Sequence, residues 1–129
     1  MATRGMVASG HPLASQTGVR VLQRGGNAFD AAIAAAAILA VCQPAANSLG
    51  ADNMALMWDA SRQELTALNA NGYAPACATL DAYREGIPRI GPRSVALPGA
   101  VAGWEAVLSR FGSWRLADLL EDAIDYAER

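Results

Sequence analysis

Gly25-Gly26-Asn27-Ala28-Phe29-Asp30-Ala31-Ala32, running on through Ile33-Ala34-Ala35-Ala36-Ala37-Ile38-Leu39-Ala40-Val41, is the stretch around which the chain is organised. The glycine pair suits the positive-φ conformation that closes a preceding helix. Asn27 is a strong N-cap residue. Asp30, three residues on, is placed to return a hydrogen bond to the Asn27 backbone N–H, as in a capping box. It also sits where the helix dipole favours negative charge. Beyond Asp30 there is almost no polar face, and a helix apolar all round is buried on all sides. The spacing therefore predicts a central helix from Ala28 to about Cys42. Pro44 ends it, because a residue before proline avoids helical ψ.

Working outward, Pro12 opens an earlier helix that runs to about Arg24, with Leu13, Val21 and Leu22 on one face and Gly18 between them. Met6-Val7-Ala8 reads as a short strand. After the central helix, Ala45 to Asp52 is loop. Asn53 to Trp58 alternates but is apolar on both faces, which predicts a strand covered on both sides. Asp59-Ala60-Ser61-Arg62 is a turn and Leu65 to Leu68 a second, antiparallel strand. Thr79 caps a short helix to about Arg84, and Ile87 to Arg93 is loop. Ser94 to Leu97 is a short strand or extended lead-in. Pro98 opens a helix with a stripe of Val101, Trp104, Leu108 and Phe111. Ser113 caps the last helix, where Leu116, Leu119, Leu120, Ala123, Ile124 and Ala127 follow a helical period. The expected fold class is α+β, helix-rich with a β-hairpin, as one partial domain over residues 1–129.

The composition is 53% hydrophobic and 17% charged, which favours an ordered, well-buried protein over a disordered one. A net charge of -2 gives no electrostatic case for nucleic acid or an anionic membrane. Cys42 and Cys77 are too few for a disulfide framework, and a reducing compartment follows as the expectation. No signal peptide is visible at the N-terminus. The run from Ala31 to Cys42 is well short of the roughly 20 residues that span a bilayer. A soluble, cytoplasmic protein is expected.

The chemistry-bearing residues are few. His11 is the one histidine, so no His-rich zinc site forms within the chain, and no metal or cofactor is expected. The two cysteines fit no zinc or thioredoxin spacing. Neither a G-x-S-x-G elbow nor a phosphate-binding P-loop is present. His11 before Pro12 reads as a helix cap, Asp30 as a capping residue, and Trp58 and Trp104 as core. Arg4, Arg84, Arg89 and Arg93 read as solvated charge.

Five blocks occur in order: Gly5-Met6-Val7-Ala8-Ser9, His11-Pro12-Leu13-Ala14-Ser15, Gly25-Gly26-Asn27-Ala28, Asp30-Ala31-Ala32, and Ser94-Val95-Ala96-Leu97-Pro98-Gly99-Ala100-Val101-Ala102-Gly103-Trp104. Each alone is weak. The ordered set resembles the beginning of the gamma-glutamyltransferase (gamma-glutamyltranspeptidase) family. The resemblance implies the N-terminal part of a large subunit, with the αββα sandwich of N-terminal nucleophile hydrolases. It implies a precursor that cuts itself and a catalytic threonine freed at the start of the small subunit, whose own amine serves as base. The Thr-Thr-His context of that threonine is absent here. Thr3, Thr17, Thr66 and Thr79 lie in other contexts, so no catalytic residue is expected in this chain, which alone should be inactive.

One substrate-binding position is implied. Members often carry an arginine shortly before an Ala-Pro pair, where it clamps a substrate carboxylate. Counting back from Ala74-Pro75, that position is Asn71, which keeps hydrogen bonding but has no charge. Gly50-Ala51-Asp52-Asn53-Met54 also departs from the family's longer glycine run. Both departures resemble the divergent, gamma-glutamyltransferase-like branch. The expected function is hydrolysis or transfer of a gamma-glutamyl or related acyl group from a small-molecule amide. The expected partners are the remainder of the large subunit and the small subunit of the same precursor. The rival readings are a cephalosporin-acylase-type amidase on the same scaffold and a non-catalytic helical interaction module.

Overall fold

A computed structural model describes residues 2–129. Among the described residues the order is α1 (Pro12–Gln23), α2 (Ala28–Cys42), β1 (Met54–Asp59), β2 (Glu64–Asn69), two short 3-10 turns (Asp81–Tyr83 and Pro92–Ser94), α3 (Ala100–Phe111) and α4 (Leu116–Glu128). The fold is α+β, with helices dominating and the strands forming one antiparallel hairpin.

α1 begins where His11, in extended conformation, accepts a hydrogen bond from the Leu13 N–H at Nδ1, 3.3 Å away. It ends at the glycine pair. Gly25 takes φ 92°, its N–H donates to the Leu22 carbonyl, and the Gly26 N–H donates to the Val21 carbonyl. This 6→1 and 5→2 pattern satisfies carbonyls that the helix end would leave bare. α2 starts three residues later with the predicted capping box. Asn27 Oδ1 accepts from the Phe29 and Asp30 N–H groups, and Asp30 Oδ2 accepts from the Asn27 N–H at 2.8 Å.

α2 packs against α1, α3 and α4. The core gathers Ala14 and Val21 of α1, most of the α2 alanines with Ile33 and Ile38, Met57 of β1, Trp104 and Val107 of α3, and Leu119 and Ala123 of α4. Ile38 is wholly enclosed. Burying such a side chain contributes about 1.5–3 kcal/mol. Phe29 stacks on Phe111 with ring centroids 4.8 Å apart. Arg20 of α1 reaches Asp122 of α4 at 2.8 Å, but both are half exposed, so the pair adds no more than about 1 kcal/mol.

The structure differs from the sequence reading in several places. Met6 to Ala8 pair with no strand among the described residues. α2 is not covered all round: Ala28 and Ala32 are exposed. β1 is covered on one face only. Met57 is buried and Ala55 half-buried, while Met54, Leu56 and Trp58 point outward, Trp58 with 54% of its surface exposed. α3 begins at Ala100 rather than Pro98, and its buried stripe is Ala100, Gly103, Trp104 and Val107, with Val101 outside. Ser113 does not cap α4; its hydroxyl and N–H are taken by Asp30. Trp104, Leu119 and Ala123 are core as expected. No helix among the described residues is long and apolar enough to cross a membrane.

Candidate functional site

The site begins where β2 ends. The Ala70 N–H donates to the Asn53 carbonyl at 2.8 Å, extending the ladder one residue past the strand. Asn69 then turns the chain by accepting the Asn71 N–H on its own side-chain oxygen at 3.1 Å, a local turn that asparagine favours. Asn71 emerges from that turn exposed.

The loop is braced from behind by the lead-in to α3. A Cβ on Gly72 would collide with the Leu97 carbonyl, and one on Gly99 with the Ala70 carbonyl. Only glycine allows backbone to approach backbone so closely. The N–H groups of Gly99 and Ala100 donate to the Ala51 carbonyl at 3.1 and 2.9 Å. The loops around Ala51 and Ala70 and the start of α3 are thus tied together, although 49 residues separate Ala51 from Ala100.

Gly72 also lines an open cleft of about 550 Å³, together with Pro75, Thr79, Leu80, Tyr83 and Arg93. Its walls are mostly apolar. Thr79 Oγ1 accepts from the Ala82 N–H at 3.3 Å, but the expected short helix is only the 3-10 turn Asp81–Tyr83, with Leu80 rather than Thr79 at its N-cap. Tyr83 donates its hydroxyl to the Arg93 carbonyl at 3.0 Å, and Arg93 Nη1 donates to the Ala82 carbonyl at 3.2 Å. Arg93 is exposed, as the sequence reading expected, and it also lines this cleft, which that reading did not foresee. Its contacts span ten or eleven residues of irregular chain and carry no periodic signal.

The four threonines have structural uses or none. Thr17 is buried and accepts from Arg20, Thr79 accepts from the Ala82 N–H, Thr3 is exposed, and Thr66 Oγ1 is buried with no partner among the described residues. No group of three or more His, Cys, Asp and Glu side chains able to hold a metal ion comes together among the described residues. Two carboxylates lie below their ordinary pKa. The Ser61 hydroxyl, aided by the Ser61 and Arg62 N–H groups, holds Asp59 down at the hairpin turn. Hydrogen bonds from Arg115 do the same for Asp118 in the first turn of α4. Neither belongs to the loop that carries Asn71.

The gamma-glutamyltranspeptidase family model matches residues 14–129. The chain belongs to the gamma-glutamyltranspeptidase family. It is 43% identical to the glutathione hydrolase-like YwrD proenzyme of Bacillus subtilis over 98% of its own length and 25% of that protein. It superposes on the gamma-glutamyltranspeptidase of Helicobacter pylori with a TM-score of 0.88 at 36% identity, covering 97% of this chain and 38% of that one. It superposes on the cephalosporin acylase from Bacillus halodurans with a TM-score of 0.85 at 38% identity, covering 99% of this chain and 26% of that one. The chain spans about a quarter of the length of the curated relatives it matches. It corresponds to the N-terminal region of the large subunit in this family of N-terminal nucleophile hydrolases. The expected helix-rich piece of that scaffold is what the structure contains.

Proposed function

We propose that this chain forms one wall of the acyl-donor pocket in an N-terminal nucleophile hydrolase that hydrolyses, or transfers, an acyl group from an amide. The observation that carries the reading is the exposed Asn71, held by a fixed turn next to a cleft whose backbone is braced on Leu97 and Gly99. A side chain on so constrained a loop orients a substrate without a large ordering cost. The amide of Asn71 offers two donors and an acceptor to the acyl chain. The nucleophile comes from outside these residues, supplied by the partner segment of the same precursor.

Asn71 also bears on the substrate. A neutral amide cannot neutralise a carboxylate drawn out of water. Charge-assisted hydrogen bonds are roughly twice as strong as neutral ones, a difference on the order of 1–3 kcal/mol. This favours acyl donors whose head is neutral or differently placed, and gives weight to an acylase-type reading over glutathione processing. The likeness to a cephalosporin acylase supports that second reading.

The test is hydrolysis of gamma-glutamyl and glutaryl p-nitroanilides by the complete, matured protein. Turnover of either supports the reading, and their ratio assigns the donor class. A complete, self-cleaved protein that releases nitroaniline from neither, nor ammonia from simple amides, overturns it. The 129-residue chain alone is the inactive control.

A further inference from the structure

The chain has ten cationic side chains, all arginine. Among the described residues, six of them meet a carboxylate, and Arg24 lies over the Trp114 ring. Arg93 has neither kind of partner among the described residues, yet it lines the cleft that opens at Gly72, next to Asn71.

The backbone around Arg93 is fixed. Gly91 takes φ 105°, and its carbonyl accepts from the Ser94 N–H and hydroxyl at 3.0 and 2.8 Å. This closes the 3-10 turn Pro92–Ser94, with Arg93 at its centre. The Tyr83 hydroxyl holds the Arg93 carbonyl, and Arg93 Nη1 reaches the Ala82 carbonyl. Both ends of the one residue are thus tied to the turn Asp81–Tyr83. A guanidinium has five N–H donors in a planar fork. One is spent on Ala82, and the others meet no acceptor among the described residues. Such a fork matches a carboxylate.

The other polar groups of the cleft are largely committed. Tyr83 and Ser94 give their hydroxyl hydrogens to carbonyls. Thr79 accepts from the Ala82 N–H and keeps its own hydrogen to donate. Between these groups the wall is alkyl, from Pro75, Leu80, Ile87 and Val95. No acidic side chain lines the cleft, so an ammonium group finds no counter-charge there. A second recess, of about 520 Å³, also touches Arg93 and holds Asp81 and Glu85. Asp81 is paired with Arg84 at 2.9 Å, and no ion pair joins Glu85 to Arg93.

We propose that Arg93 sets donor specificity: it receives the terminal carboxylate of an acyl chain whose methylenes lie along the apolar wall of the cleft. The preferred donors are then monoamides of straight-chain dicarboxylic acids without an α-amino group. The proposal rests on the reading of Asn71 and its cleft as the acyl-donor pocket. The charge that Asn71 cannot supply comes instead from the turn Pro92–Ser94.

The test uses the complete, matured protein and pairs of p-nitroanilides matched in carbon count: glutaryl with pentanoyl, adipyl with hexanoyl, suberyl with octanoyl. In at least one pair the carboxylate-ended donor should have the higher kcat/KM by about tenfold or more, the size of a charge-assisted contact. Added salt should shrink that ratio. Arg93→Gln should lower it by about tenfold or more, and Arg93→Lys, which keeps the charge, should recover part of it. Arg89→Gln makes the same change of net charge away from the cleft lining and should leave the ratio as it was. A ratio unmoved by Arg93→Gln, or a parallel fall for both donors of every pair, overturns the proposal. In the unmodified enzyme, glutaramate should compete with a fixed anilide at least about tenfold better than pentanamide. Equal competition overturns the proposal even where Arg93→Gln does not fold. Ammonia released from small amides, with no acyl anilide turned over, overturns this proposal and leaves the hydrolase reading standing. Turnover of neither overturns both.

Discussion

Asp30 and Ser113, 83 residues apart in the chain, are joined by two hydrogen bonds: the Ser113 N–H donates to Asp30 Oδ1 at 3.0 Å and the Ser113 hydroxyl to Oδ2 at 2.5 Å. The same carboxylate accepts from the Asn27 and Trp114 N–H groups. A helix-capping residue is thus also the clamp between the start of α2 and the turn from α3 to α4. Asp30 is wholly buried, so each donor it serves would be left bare by its loss. Asp30→Ala should destabilise the chain by about 3–5 kcal/mol, at about 1–3 kcal/mol for an unsatisfied buried group. Ser113→Ala, which leaves three of the four donors served, should cost only about 1 kcal/mol. Urea denaturation of the two variants checks the order; equal losses would contradict it.

The two sides of α2 should respond differently to one substitution. Ala35 is 5% exposed and Ala32 is open. Ala35→Asp should cost more than about 3 kcal/mol, because an unpaired charge is desolvated. Ala32→Asp in the free chain should stay within about 1 kcal/mol. Thermal melts of both variants measure the contrast.

Thr66 Oγ1 is buried without a partner among the described residues, on the same inner sheet face as its cross-strand neighbour Met57. Thr66→Val keeps the shape and removes the unsatisfied hydroxyl. It should raise stability by about 1 kcal/mol. A loss of stability in the same denaturation assay would show that the hydroxyl is in fact served.

Asp59 should titrate below 3.8, chiefly because the Ser61 hydroxyl bonds its charged form. A depressed folded pKa gives stability that is present above the unfolded value, about 3.9, and lost as pH falls through the lower folded value. The hairpin turn should therefore loosen only in acid below about pH 4. Ser61→Ala should move the midpoint up, read by the carboxyl carbon shift in NMR.

Asn71→Arg in the complete enzyme should raise kcat/KM for a gamma-glutamyl donor by about tenfold or more, the effect of recovering on the order of 1–3 kcal/mol of charge-assisted bonding. The same change should leave a neutral acyl donor nearly untouched. Efficient glutathione hydrolysis by the unmodified enzyme, insensitive to Asn71→Ala, would place this residue outside the pocket.

What was legible in the sequence was what local chemistry encodes. The Gly25-Gly26-Asn27 punctuation and Asp30 located the end of α1 and the start of α2, and Pro44 the end of α2, within a residue or so. The short connection after Trp58 gave the antiparallel hairpin. Sidedness was harder. Met54, Leu56, Trp58 and Ala32 have the composition of core residues, and composition does not say which polypeptide segment provides the cover. Ser113 was misread for another reason. A serine before a helix looks like a cap, and nothing local announces a carboxylate 83 residues away. In the candidate site only Asn71 was reachable, and only through a resemblance. The cleft beside it is walled by irregular chain held by Tyr83 and Arg93, which no period marks.

The carboxylate clamp also bears on the order in which the chain assembles. α1 and α2 meet through a turn of a few residues, so their pairing costs little chain entropy. The bonds from Asp30 to Ser113 close a loop of 83 residues, for which the entropic cost grows as (3/2)RT ln n, about 4 kcal/mol plus a constant. The helical pair is therefore expected to form early and the clamp late. A contact made after the rate-limiting barrier governs escape from the native state, not arrival. Ser113→Ala should leave the refolding limb of a chevron almost unchanged and raise only the unfolding rate, so the clamp sets how long the folded chain lasts.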